Sequence, residues 1–448
     1  MQLSQALALG PREVVAFVGA GGKTSALYRL AHELLAAGQT VIATTTTHMW
    51  PPPPEAGWPL AVADDAAARH RLAAAALAQH RRVLVAAGLT AVGKLRGVDP
   101  CEVAAFRELA AAVLVEADGA RGRPVKAPAP YEPVIPQAAT LVVPVVGLQA
   151  LEQPLGEGVA HRPQRLAQLL GVPLGAPISP GMLARLLLHQ EGGLRGVPPG
   201  ARVVPLCNQG DGDRARAAGR QVAARVLQAG DQVSRVVVGA VGTAPCQMEA
   251  WQPSAVIILA AGAARRFGRL KQTQEWQGQP LLARAVDAAL ASLADLVVVV
   301  LGCQADSAAA VLEARRSGRL RTVLNPAWEQ GLASSLRAGL AGLPGAVQAA
   351  VFCPADQPLL SAREIDALLE RHAATGAAIV APCLRGEPRS PALFDRRLFA
   401  ELAAHSGDVG GRVVLERHRQ ELVAVDVTDE RPYLDVDTWA DYQRLQHT

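Results

Sequence analysis

Apolar residues along this chain gather in short runs instead of alternating with polar ones. "EVVAFVG" (13–19), "TVIATTTT" (40–47), "RRVLVAAG" (81–88), "AVLVEADG" (112–119), "TLVVPVVG" (140–147), "RVVPLCN" (202–208) and "SRVVVGAV" (234–241) punctuate the first half. "AVIILAAG" (255–262), "DLVVVVLG" (295–302), "AAVFCPAD" (349–356) and "AAIVAPC" (377–383) punctuate the second. Runs of this length without strict alternation predict strands covered on both faces, as in a parallel sheet. Helix-length segments lie between many of them, such as "TSALYRLAHELLAAG" (24–38), closed by Gly38 at a C-cap position, and the alanine-rich 64–82. Strand–helix alternation of this kind predicts α/β architecture with doubly wound sheets.

Length makes this more than one unit. A chain of 448 residues is too long for one ordinary core. The pattern breaks at "GTAPCQMEAWQPS" (242–254), where two prolines and mixed polar residues precede a fresh strand. The expectation is a linker there, joining domains 1–245 and 254–448. "PPPPEAGWP" (51–59) reads as an exposed loop, because its prolines remove backbone donors.

Composition narrows the function classes. Half the residues are hydrophobic and 19% are charged, which predicts a folded, well-buried protein. The net charge of +4 is small for this length and gives no support to nucleic-acid binding. Six dispersed cysteines without a C-x-x-C pair argue against a structural zinc site or a disulfide framework. The N-terminus lacks a basic region followed by a long apolar run, and no apolar stretch approaches the ~20 residues that span a bilayer. The expectation is a cytoplasmic protein without a membrane partner.

Two glycine-rich loops carry the candidate chemistry. Near the start, "VVAFVGAGGKTSAL" is not a full Walker A, because Phe17 stands where its first glycine belongs. It matches the shortened G-x-x-G-K-T from Gly19 through Gly21, Gly22 and Lys23 to Thr24. Successive N–H groups at a helix N-terminus form an anion nest, Lys23 would reach the β- and γ-phosphates, and Thr24 would ligate Mg²⁺. "AVLVEADG" ends a strand with Glu116 and Asp118, where a Walker B-like carboxylate would meet that metal. A purely structural glycine turn is the competing reading. "VIATTTTH" brings four threonines and His48 to another strand end, with His48 equally readable as a turn residue. "VVPLCNQGD" resembles a guanine-reading Asn-Lys-x-Asp in which Gln209 replaces lysine, so ATP and GTP both stay open.

Past the midpoint, "LAAGAARRFGRLK" (259–271) follows a buried-looking strand with a small-residue loop rich in positive charge. Leu259, Ala260, Ala261 and Gly262 would let backbone N–H groups approach a ligand, with Gly268 in the turn. Arg266 and Lys271 would fold over a triphosphate. Solvated arginines at a helix start are the bland alternative. The whole string resembles the signature of the MobA-like nucleotidyltransferases. "NPAWEQGLASSLRAGL" (325–340), "VFCPADQPLL" (351–360), "SGDVGGRVVLERH" (406–418) and "YLDVDTWADYQRL" (433–445) resemble further segments of that family. The resemblance implies a Rossmann-like fold, Asp356 as a Mg²⁺ ligand, and Asp435 and Asp437 as candidates for a second carboxylate. An N-cap is the other reading of Asp437.

Within that family, Ala-Ala-Gly with Asp-Gln-Pro is similar to the molybdenum cofactor cytidylyltransferases. The resemblance implies transfer of CMP from CTP to molybdopterin with release of pyrophosphate. Arg389-Ser390-Pro391 departs from the family's Gly-His-Pro or Gly-Asn-Pro, which leaves the acceptor open. Residues 12 to about 245 resemble YqeC-type accessory proteins of selenium-dependent molybdenum hydroxylases, through "GAGGKTS", "TTTTHM", "VEADGARGRPVKAPAPYEPVIP" and "HRP" (161–163). Lys126, His161 and Arg162 are polar enough to serve a site there, without an assigned role. The resemblances imply a fusion: a P-loop-like accessory domain that binds and is equipped to hydrolyse a nucleotide, with a molybdenum hydroxylase as client, and a nucleotidyltransferase. The alternative is a sugar- or alditol-phosphate nucleotidyltransferase fused to a nucleotide-dependent switch or chaperone module.

Overall fold

The computed structural model describes residues 1–448 except 230–231, 244–245, 265–266, 409 and 447–448. The chain forms two compact units, Met1–Trp251 and Gln252–Thr448.

The first unit is built on β1 (Glu13–Gly19), α1 (Lys23–Ala36), β2 (Val41–Thr45), β3 (Leu60–Val62), α2 (Ala66–His80), β4 (Arg82–Ala86), α3 (Val103–Leu109), β5 (Ala112–Glu116), β6 (Leu141–Gly147), β7 (Leu206–Asn208), α4 (Asp213–Gln228), β8 (Val236–Gly239) and β9 (Met248–Trp251). Its sheet runs β9-β8-β7-β6-β1-β5-β2-β4-β3, with Arg202–Val203 pairing alongside β6. Neighbouring strands along this order are parallel except β9, which runs antiparallel to β8. The unbroken apolar runs are explained by two-sided cover. Val15 and Phe17 join Leu27 and Leu30 of α1 in one cluster. Val14, Ala16 and Val18 join Leu77 of α2 and Phe106 of α3 in another. The alanine-rich 64–82 forms α2 because the Asp65 carboxylate caps it, accepting from the Ala68 N–H at 2.7 Å.

The expected linker at 242–254 is in part strand. Met248, Ala250 and Trp251 of β9 are buried, and Glu249 pairs with Arg220 of α4 at 2.7 Å. Pro253 falls just beyond the strand, so its missing N–H costs the ladder nothing.

The second unit comprises β10 (Ser254–Ala260), α5 (Leu281–Ala291), β11 (Leu296–Leu301), β12 (Leu320–Leu324), α6 (Leu332–Ala341), β13 (Ala349–Pro354), α7 (Ala362–Thr375), β14 (Ile379–Leu384), β15 (Ala392–Asp395), β16 (Leu422–Asp426) and α8 (Trp439–Gln446). The sheet order is β12-β11-β10-β13-β15-β14, with Glu387–Pro388 and β16 also pairing β14. β12 through β13 are parallel, and β15 is antiparallel to both neighbours. The chain steps outward from β10 to β11 and β12, then returns to β13 on the opposite side. That reversal opens a crevice at the C-terminal ends of β10 and β13, the place where open α/β sheets bind ligands.

Candidate functional site

Strand register decides what meets in the first unit. Phe17 pairs with Glu116, so Gly19 and Asp118 both emerge two residues beyond the same rung. The Gly19 N–H donates to Asp118 Oδ2 at 3.0 Å. The loop then turns on Gly19, Gly21 and Gly22, with φ of 89°, 84° and 107°. A Cβ on Gly21 would lie 2.2 Å from the Gly147 backbone nitrogen, so this glycine is required by close approach of β6. The Ala20 and Gly21 N–H groups donate to Val145 and Arg123 carbonyls. The nest available to an anion is therefore shorter than expected, and consists of the α1 N-terminus from Gly22 onward.

One expectation is corrected here. Lys23 does not reach outward over the loop: its Nζ donates to the Gly19 carbonyl at 2.7 Å and lies 3.2 Å from Asp118 Oδ1, almost fully buried. Asp118 belongs to the same buried charge cluster. Its carboxylate is held between Lys23 and Lys126, with Lys126 Nζ 2.8 Å from Oδ2. Its Oδ2 is filled by Lys126 and the Gly19 N–H, whereas Oδ1, beside Lys23, is buried with no hydrogen-bond partner. Glu116 is the carboxylate left beside the helix, accepting from Thr24 Oγ1 at 2.6 Å. Burial pushes its carboxyl above the usual range, against the opposing pull of Lys23 and Thr24.

The charge chain continues through residues that had no role in the sequence. Lys126 also bonds Glu132 at 2.9 Å, and Arg162 bonds the same Glu132 oxygen at 2.8 Å. His161, paired in a short strand with Lys126, is pushed down by burial and by Arg162. The strand-end threonines are structural: Thr44, Thr45 and Thr46 donate to the carbonyls of Val85, Glu116 and Val134. His48 is exposed. Asn208 spends both ends of its amide, donating to the Gly21 carbonyl at 2.7 Å and accepting from the Val241 N–H at 3.0 Å. It clamps the glycine loop.

In the second unit Leu259 pairs with Pro354, so Ala261–Gly262 and Asp356 leave adjacent strand ends together. Lys271 Nζ donates to Asp356 Oδ2 at 2.5 Å and lies 3.7 Å from Asp437 Oδ1. Asp356 Oδ1 is buried without a hydrogen-bond partner. Asp435 accepts from Gln357 Nε2 at 3.0 Å, and burial and then Asp356 raise its carboxyl above the ordinary value. Gln272, buried, ties the loop to its own strand by donating to the Ala260 and Gly262 carbonyls.

Two cavities flank this cluster. One, of about 610 Å³, is lined by Ala261, Gly262, Lys271, Asp437 and the 328–332 segment. The other, of about 820 Å³, is lined by Asp356, Gln357, Asp435, Phe352, Arg389 and Arg412, among others. Leu259 and Leu332 border both. Of the expected loop residues, Ala260 is buried under the loop and Gly268 is an exposed turn residue at φ 77°; neither lines a cavity. Arg266 lies outside the described residues. Gln272 and Gln357 were missed by sequence reasoning, although each adjoins a residue it singled out. Among the described residues no group of three or more His, Cys, Asp and Glu side chains is arranged for a metal, and no helix is long and apolar enough to cross a membrane.

Comparison with known proteins agrees with this division. Residues 15–164 match the profile of the YqeC protein family, and residues 256–422 match that of the MobA-like NTP transferase domain. The uncharacterized protein YqeC of Escherichia coli (strain K12) is 35% identical over 198 residues, covering 44% of this chain and 75% of that protein. Among solved structures, a homologue of Mycobacterium tuberculosis Rv0371c from Mycobacterium sp. strain JC1 is 30% identical over 43% of this chain and 95% of that one, with a TM-score of 0.38. A nucleotidyl transferase from Methanothermobacter thermautotroptrophicus is 20% identical over 44% of this chain and 96% of that one, with a TM-score of 0.38.

Proposed function

Since the chain belongs to the YqeC family and carries a MobA-like NTP transferase domain in its second unit, we propose that it matures the molybdenum cofactor by transferring CMP from CTP to molybdopterin. The observation that carries this reading is the Lys271–Asp356–Asp437 cluster at the border of two cavities. A two-substrate transfer needs that layout: the nucleotide in the cavity under the glycine loop, the acceptor in the other, and the charges between them. An oxygen of the acceptor's phosphate attacks the α-phosphorus, the α–β bridging bond breaks, and pyrophosphate leaves with the bonding electrons. No side-chain nucleophile is required, so catalysis is positioning plus charge neutralisation.

Lys271 neutralises the triphosphate in this scheme, joined by Arg266. Asp356 and Asp437 would hold Mg²⁺, which supplies further neutralisation of the phosphates. The orphaned, buried Asp356 Oδ1 fits that role, and two carboxylates plus substrate phosphates is the usual ligand set of this cation. The preference for CTP rests on the likeness at Ala261 and Asp356-Gln357-Pro358 alone.

For the first unit we propose binding of Mg²⁺ with ATP or GTP at the α1 N-terminus, with Thr24 and Glu116 as its polar partners and a molybdenum hydroxylase as client. Mass analysis of the product made from molybdopterin with CTP or GTP tests the transferase reading. A cytosine dinucleotide is expected. Faster formation of the guanine product would overturn the cytidylyl assignment and keep the transferase.

A further inference from the structure

The second cavity has two cations that the reading above does not use. Four acidic residues line it: Asp356, Asp435, Glu387 and Glu416. Asp356 is neutralised by Lys271. Glu387 and Glu416 share Arg419, at 3.6 and 3.2 Å, and Arg419 is not part of the lining. Asp435 accepts from Gln357 at 3.0 Å. The two arginines of the lining, Arg389 and Arg412, have no side-chain partner among the described residues. Each acid has a partner other than these two arginines, whereas the two guanidiniums have none.

Both arginines stand on anchored backbone. The Arg389 N–H donates to the Pro382 carbonyl at 2.8 Å, and the next carbonyl, of Ser390, accepts from Gln357 Nε2 at 3.2 Å. Arg389 is thus fixed one residue from a side chain adjoining Asp356. Arg412 opens a short helix whose Val414 and Leu415 are buried. The same cavity has an apolar part: Phe352 and Phe394 meet edge to face at 5.8 Å, and Leu336 and Leu415 also line it.

We propose that Arg389 and Arg412 form a clamp for the phosphate of the acceptor, whose ring-bearing body lies against the Phe352–Phe394 pair. This rests on the transferase reading and names its acceptor class: a phosphate monoester with a flat, ring-bearing body. Guanidinium forks suit phosphate oxygens, and a wholly hydroxylated acceptor would leave the aromatic pair unused. The clamp also gives Arg389 a role in the triplet where this chain departs from its relatives.

The test is calorimetric titration of the full chain with phenyl phosphate, phenol, glycerol 3-phosphate and CTP with Mg²⁺. Phenyl phosphate should bind more tightly than either phenol or glycerol 3-phosphate. Arg389→Ala and Arg412→Ala should each weaken it roughly tenfold or more, as expected for a lost charge-assisted bond, with partial rescue by Arg389→Lys. CTP affinity should stay put, which also reports that the fold survives. Unchanged phenyl phosphate binding in the double alanine variant would overturn the clamp, as would absence of binding to the unaltered protein. A loss confined to CTP would reassign the arginines to the triphosphate and overturn it too. Arginine-dependent phenyl phosphate binding without any transfer to molybdopterin would instead remove the named acceptor and leave the clamp standing.

Discussion

Replacing Asp356 by asparagine separates charge from shape at the centre of the transferase cleft. The backbone bond from the Val436 N–H to the Asp356 carbonyl, 2.9 Å, is untouched, and the amide keeps the carboxylate's outline. What disappears is the negative charge and one of the two oxygens, so that the amide can face Lys271 or a cation with oxygen but not both. The stability cost lies between the ~1 kcal/mol of an exposed pair and the ~3 kcal/mol of breaking a buried one. It falls near the lower figure, because Lys271 keeps Asp437 at 3.7 Å. The catalytic cost is larger: about 3–4 kcal/mol, roughly 10²–10³-fold in kcat, as when a preorganised charge-stabilising group is lost. The acceptor's KM should change by less than about threefold, since the loss falls on the transition state. Pyrophosphate release at saturating CTP and Mg²⁺, with a thermal melt as control, reads both quantities. A folded Asp356→Asn protein that keeps its kcat would refute the reasoning.

Other outcomes follow from the geometry. Thr24→Val removes the hydroxyl on Glu116 without touching the Lys23–Asp118–Lys126 chain; nucleotide binding by the first unit, followed by fluorescent ATP and GTP analogues, should be lost while transfer by the second continues. Fragment 1–251 should melt cooperatively, whereas fragment 1–245 loses β9 and with it the buried Met248 and Trp251, each worth about 1.5–3 kcal/mol; equal melting temperatures would show that β9 contributes nothing. Burial raises the Asp295 carboxyl from 3.8 to about 7, where it accepts from the Ser254 N–H. The folded state therefore holds a proton that the unfolded chain releases near pH 3.8, so stability should fall as pH rises from about 4 to about 7, by ~1.4 kcal/mol per unit at most. Denaturant melts of Asp295→Asn should lack that fall; an identical pH profile would contradict the assignment.

The strand runs and both glycine loops are legible in the sequence because two-sided burial and tight backbone approach leave direct marks on residue type. β9 is not, since "MEAW" is short, carries Glu249 and sits next to prolines; its burial depends on Arg220, 29 residues upstream on α4. β12 is equally hidden, an edge strand of mixed "LRTVL". At the first site, motif reading places Lys23, Glu116 and Asp118 together. It does not foresee that Lys126, eight residues beyond Asp118, claims that carboxylate and leaves Glu116 to Thr24. Side-chain pairing is set by three-dimensional competition among charges, which local spacing does not encode. At the second site the register of β10 with β13 brings the loop and Asp356 together, as the motifs require. That Arg389 and Arg412 are left without a partner emerges only once Arg419 is seen to pair with both glutamates.

The central claim is transfer of a cytidylyl group by the second unit, and the most direct measurement is the initial rate of pyrophosphate release by the full-length protein. Each of the four nucleoside triphosphates is supplied with Mg²⁺, with and without molybdopterin. The account predicts release that depends on molybdopterin and is fastest with CTP. Release from no nucleotide in the presence of molybdopterin, by a protein that binds CTP and is fully folded, would contradict it.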